Sequence, residues 1–118
     1  TGNPLACRAA LAVLDIFEHD QVIAANRAKS MEFTKVLAEV AAHPRVRHFR
    51  HLGMIWAFDV ADATPGFSTR FHRAALALGM FIRPLGNTVY VMPPYVTSAD
   101  DMRGLAGAML RCLDEPAI

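Results

Sequence analysis

Apolar positions recur with helical spacing at both ends of the chain and crowd together or alternate in its middle. Asn3 followed by Pro4 is an N-cap with proline at the first helical residue, which predicts a helix from about Pro4 to Glu18. Ala6, Cys7, Ala10, Val13, Leu14 and Phe17 fall on its helical period and predict a closely packed face of small and apolar side chains. Asp20 is placed to cap a second helix over about Gln21 to Ala42, with Ile23, Met31, Val36, Leu37 and Val40 as core positions and Pro44 beyond its end. Arg27, Lys29, Glu32, Lys35 and Glu39 then form its solvated face.

From Val46 the period changes. Val46 to His51 alternates weakly, Gly53 punctuates it, and Met54 to Val60 is apolar enough to predict a central strand. Asp62 to Gly66 reads as a loop, Phe67 to Leu78 as a helix stopped by Gly79, and Met80 to Arg83 as a short strand. Gly86 and Asn87 turn the chain into Thr88 to Met92, predicting a hairpin. Ser98 with Asp101 three residues later resembles a capping box for a last helix to about Leu113. The order predicts an α+β layer, with helices on one face of a small, mostly antiparallel sheet. At 118 residues, with no repeat or linker, the chain reads as one domain over 1–118.

The hydrophobic fraction is 53%, above the usual share for a soluble domain, which predicts some apolar surface reserved for a partner. Twelve basic and eleven acidic residues give a net charge of +1, which supplies no general field for nucleic acid or an anionic membrane. Arg45, Arg47 and Arg50 around Phe49 make too short a run to suggest RNA and read as a solvated strand face. Cys7 and Cys112 have neither metal-site nor disulfide spacing and read as buried thiols in a reducing cytoplasm. No apolar run nears the roughly 20 residues that span a bilayer. The opening TGNPLAC has no signal-peptide character and no initiator methionine, as expected of a piece of a longer protein.

Catalytic constellations are scarce. The chain has no glycine-rich phosphate loop, no nucleophile elbow and no metal-protease histidine pair. His48 and His51 lie three apart on a predicted strand, so they point to opposite faces and would need a bulge to share a metal. Lys29 and Lys35 sit mid-helix among acids and read as surface lysines. The most informative stretch is FIRPLGNTVYVMPPYV, Phe81 to Val96, where Arg83 lies between a predicted strand and a proline-glycine turn. A guanidinium fixed in that way pairs bidentately with a carboxylate and suggests a bound organic acid. The residues alone leave a second role open, that of an arginine solvating a strand edge.

TGNPLACRAALAVLDIFE resembles the segment that opens the small domain of class III aminotransferases, and VRHFRHLGMIWAFDV is similar to their glycine-preceded strand pair. IRPLGNTVYVMPPYVTSADDM, Ile82 to Met102, resembles the branch of that class serving biotin synthesis. The resemblance implies the C-terminal small domain of a type I fold, pyridoxal phosphate enzyme. Its full-length parent would be a cytoplasmic homodimer moving an amino group from S-adenosylmethionine to 8-amino-7-oxononanoate. It also implies that Arg83 is the substrate-carboxylate arginine, with Tyr90 and Tyr95 on aromatic positions of the motif and no catalytic role carried over. The family's Schiff-base lysine, pyridine-nitrogen acid and ring-stacking aromatic lie upstream, so no cofactor and no activity are expected of this chain alone. Thr1 and Gly2 fall beside the family's phosphate loop and would lie near the dimer partner. Two other functions stay open: another ω-amino-acid transaminase of the class, or a free-standing α+β domain that binds an acid at Arg83.

Overall fold

The computed structural model describes residues 2–116. The strands β1 (Val46–Leu52), β2 (Ile55–Val60) and β3 (Thr88–Val91) form one antiparallel sheet in the order β1-β2-β3. The helices are α1 (Pro4–His19), α2 (Val22–Val36), α3 (Ala38–Ala42), α4 (Phe67–Ala77) and α5 (Ala99–Asp114). β2 is central, as its apolar run requires. Trp56, Phe58 and Val60 alternate with Ala57 and Asp59, so one face of the sheet is buried and the other half-exposed. Val89 and Val91 of β3 join the buried face, and Thr88 and Tyr90 the open one. The expected α+β layer is therefore present, with three strands in place of four.

Helices α2 to α5 close the buried face. Phe33, Leu37, Val40, Phe71, Met102 and Met109 meet the sheet residues in one core, and burying each such side chain contributes about 1.5–3 kcal/mol. The indole N–H of Trp56 donates to Thr34 Oγ1 at 2.9 Å, and Thr34 Oγ1 donates to the Ser30 carbonyl at 2.8 Å. That relay satisfies the polar end of a fully buried tryptophan. The capping box forms as read: Ser98 Oγ accepts from the Asp101 N–H at 3.1 Å, and the Asp101 carboxylate accepts from the Ser98 N–H at 3.1 Å.

Several local expectations are corrected. The helix predicted over Gln21 to Ala42 is two helices, broken at Leu37. Asp20 does not cap it, because its carboxylate binds His19 Nδ1 at 2.7 Å and Gln21 takes the N-cap position in a left-handed conformation (φ 48°) without a side-chain cap bond. The inner stripe runs through Ser30, Phe33, Leu37 and Val40, which leaves Ile23 and Met31 exposed. The predicted face of α1 is not packed within this chain: none of the helix's residues is buried, and Val13 and Leu14 of that face are 52% and 63% exposed.

Cys112 is buried as expected, which pushes its thiol pKa up, but Cys7 on α1 is exposed. Met80 to Arg83 form no strand. Ile82 and Pro84 are buried on either side of Arg83, proline has no N–H to give a ladder, and only Leu85 bridges Thr88. Those two residues exchange a pair of 2.9 Å bonds around Gly86 and Asn87. Gly86 has φ 59°, the conformation such a two-residue turn demands of its first central residue. Among the described residues no helix is long and apolar enough to cross a membrane.

Candidate functional site

Arg83 sits on an extended segment that is tied down on both sides. Before it, His72 Nδ1 lies 2.7 Å from the Ile82 carbonyl oxygen, so Nδ1 carries the proton and donates. The same imidazole meets Phe81 edge-on, with ring centres 5.2 Å apart at 81°. After it, the Gly86-Asn87 turn is fastened to β2, where the Val60 N–H donates to the Asn87 carbonyl at 2.9 Å. Beyond that turn, Thr88 Oγ1 donates to Asp59 Oδ1 at 2.8 Å. His48 Nδ1 and Arg50 Nη2 reach the same carboxylate at 3.0 and 3.4 Å. The Thr88 hydroxyl first, then His48 and Arg50, hold the Asp59 pKa below the ordinary carboxylate range.

Two clefts meet at Arg83. One, of about 470 Å³, is walled mostly by apolar groups including Met80, Tyr90, Pro93, Pro94 and Leu105. The other, of about 510 Å³, lies against α4 and presents Ser68, Thr69 and His72. Asp101 borders the first cleft, but its carboxylate is engaged by the Ser98 hydroxyl and N–H, which lower its pKa. Arg83 is exposed and, among the described residues, has neither an ion pair nor a hydrogen bond. Its guanidinium is therefore a fixed-base cation open to an anion.

The structure brings Arg83, Tyr90 and the Pro93-Pro94 pair together and takes Tyr95 elsewhere. The Tyr95 ring packs edge-on against Phe17 of α1, with centres 6.0 Å apart. Its carbonyl accepts from the Lys29 ammonium. Lys29 is half-buried and bridges α2 to the loop after the prolines, which corrects its assignment as a plain surface lysine. Lys35 is exposed. Neither lysine borders the clefts at Arg83. Thr1 lies outside the described residues. Asn3 Oδ1 accepts the Leu5 N–H at 2.9 Å, so α1 caps its own first turn beside Gly2.

The remaining candidates are absorbed by the fold. Arg45 binds Asp62 at 2.8 Å and the Leu113 carbonyl at 2.7 Å, and Arg47 binds the Pro44 and Val46 carbonyls at 2.7 and 2.8 Å. A bulge does interrupt β1 between Arg47 and Arg50, with His48 at φ 51°. It delivers His48 to Asp59, while His51 stacks on Trp56 with ring centres 6.0 Å apart. Among the described residues no group of three His, Cys, Asp or Glu side chains is placed to hold a metal. His72 escaped the sequence reading. A histidine on a mid-helix position carries no local signal that it will reach a carbonyl ten residues on.

The class III aminotransferase family matches residues 1–113. The adenosylmethionine-8-amino-7-oxononanoate aminotransferase of Helicobacter pylori is 38% identical over 98% of this chain and 28% of its own length. The acetylornithine aminotransferase of Thermosynechococcus vestitus is 34% identical over 95% of this chain and 28% of its own. The crystal structure of the adenosylmethionine-8-amino-7-oxononanoate aminotransferase of Methanocaldococcus jannaschii superposes with a TM-score of 0.88 at 28% identity, over 100% of this chain and 29% of that one. The chain thus spans a little over a quarter of the length of these relatives.

Proposed function

The chain belongs to the class III aminotransferases, and from that premise we propose that it is the C-terminal small domain of a longer transaminase in which Arg83 holds the substrate carboxylate. The observation that carries this is the Arg83 guanidinium, unpaired among the described residues and rooted between His72 and the Gly86-Asn87 turn where two clefts meet. A strand-edge arginine that only solvates its surroundings needs no such footing. A planar fork donating to both oxygens of a carboxylate orients the acid as well as binding it. The apolar wall of Tyr90, Pro93 and Pro94 then shelters the aliphatic part of the same molecule from water.

The substrate pair is S-adenosylmethionine as amino donor and 8-amino-7-oxononanoate as acceptor. Its support is the Ile82 to Met102 motif together with the relatives that carry that activity in their names. Cofactor chemistry belongs to pyridoxal phosphate and a lysine held by the rest of the parent, in which Thr1 and Gly2 approach the second subunit. Similarity to acetylornithine aminotransferase at 34% identity favours one competing pair, an ω-amino acid of that kind. The family match leaves a free-standing acid-binding domain without support.

The deciding experiment supplies the full-length protein with S-adenosylmethionine and 8-amino-7-oxononanoate, and in parallel with N-acetylornithine and a 2-oxo acid. Products are identified by mass spectrometry. Formation of a diaminononanoate is the expected result, and transfer confined to acetylornithine would overturn it.

A further inference from the structure

We propose that His72 is the positioning residue for Arg83, the side chain that fixes the backbone plane from which the guanidinium reaches an acid. The inference rests on the role proposed above for Arg83. Arg83 lies where the backbone has no ladder to hold it, because the segment from Met80 to Pro84 pairs with no strand. The Ile82 carbonyl shares a rigid peptide plane with the N and Cα atoms of Arg83, so fixing that oxygen fixes the plane from which Arg83 grows. His72 Nδ1 does this at 2.7 Å. On the other side, Pro84 confines Arg83 to extended conformations by its ring and is itself buried. One neighbour restricts the backbone after Arg83, and the imidazole restricts the plane before it.

His72 is well founded for this task. It follows Phe71, which is fully buried, and precedes Ala75, also fully buried one turn on, so α4 is anchored in the core where the histidine leaves it. Phe81 meets the ring edge-on beside the carbonyl. His72 also borders the α4-side cleft with Arg83, so its hold is applied at the cleft wall itself. A binding group held by a second side chain on a rigid element keeps its geometry within the narrow limits that recognition requires.

The test uses the full-length enzyme with His72→Ala, His72→Phe and His72→Asn, beside Arg83→Ala. Each variant is assayed with the carboxylate acceptor and with its carboxamide analogue, and folding is checked by melting. His72→Phe fills the volume without a donor, and His72→Asn places an amide N–H near Nδ1. The expected result is a KM for the carboxylate acceptor raised about 10- to 100-fold in the Ala and Phe variants. In those two variants kcat changes little and discrimination over the carboxamide is lost, whereas His72→Asn restores it. Discrimination destroyed by Arg83→Ala but kept by both donorless variants would overturn the role of His72 alone. Discrimination untouched by Arg83→Ala would instead remove the carboxylate role of Arg83, and this inference with it.

Discussion

Thr88 and Asp59 are register partners across β2 and β3, and the hydroxyl of the first donates to the carboxylate of the second at 2.8 Å. The bond depresses the Asp59 pKa. A carboxylate whose folded pKa lies below its unfolded value adds stability that is complete above about pH 3.9 and is lost as the pH falls through the folded pKa. Thr88→Val removes the donor at nearly constant volume and should cost about 1 kcal/mol at neutral pH. The difference between variant and wild type should narrow below about pH 3.9. Urea unfolding at pH 7 and pH 3 measures both, and a gap independent of pH would contradict the assignment.

In the full-length parent, Arg83→Ala leaves a bound carboxylate without its counter-charge. Truncating one member of such a pair costs on the order of 2 to 5 kcal/mol, or roughly 30-fold to several-thousand-fold in kcat/KM. Arg83→Lys should recover only part, because an ammonium keeps the charge and loses the fork. Single-turnover kinetics of each half-reaction give the values, and unchanged efficiency in both would return Arg83 to a solvating role.

The 118-residue chain alone should neither transaminate nor form a stable covalent adduct with pyridoxal phosphate. Lys29 is committed to the Tyr95 carbonyl and Lys35 lies exposed on α2, so neither is presented to a bound cofactor. Borohydride trapping followed by peptide mapping should find only scattered labelling. A single stoichiometric site accompanied by turnover would refute this.

The chain alone should also self-associate. Leu11 and Leu14 of α1 are each more than half exposed and, with the exposed Cys7, share one face at helical spacing, a patch larger than isolated side chains supply. Sedimentation should show oligomers that Leu11→Glu with Leu14→Glu disperses. A clean monomer that binds no hydrophobic dye at high concentration would count against it.

The starts of α1 and α5 were legible because their caps are local. Asn3-Pro4 and Ser98 with Asp101 announce α1 and α5 from a few adjacent residues. β2 was legible from its apolar run, and the turn after Arg83 from the Gly86-Asn87 pair that makes it. Periodicity failed where a distant partner decides. Ile82 reads as strand because it is apolar and buried, yet its carbonyl goes to an imidazole on α4 and not to a neighbouring strand. Lys29 reads as solvated because its acceptor lies 66 residues away on a loop. The α1 face reads as packed because its spacing is right, and spacing says nothing about whether a partner is present among the same residues. The bulge in β1 had no local signal, and it is what sets His48 against Asp59.

The left-handed Gln21 between α1 and α2 makes the first helix a lever. Sixteen residues of helix span about 24 Å, so each degree of rotation at that joint carries the far end of α1 through roughly 0.4 Å. At the near end the arm is short, and Phe17 bears directly on the Tyr95 ring, whose carbonyl Lys29 grips from α2. Tyr95 follows the proline pair that walls the Arg83 cleft. A displacement at Asn3 is thus geared down about fourfold at Phe17, roughly 6 Å from the joint, where α1 meets the Tyr95 ring. Motion at the outer end of the helix and precision at the guanidinium can coexist in one small domain.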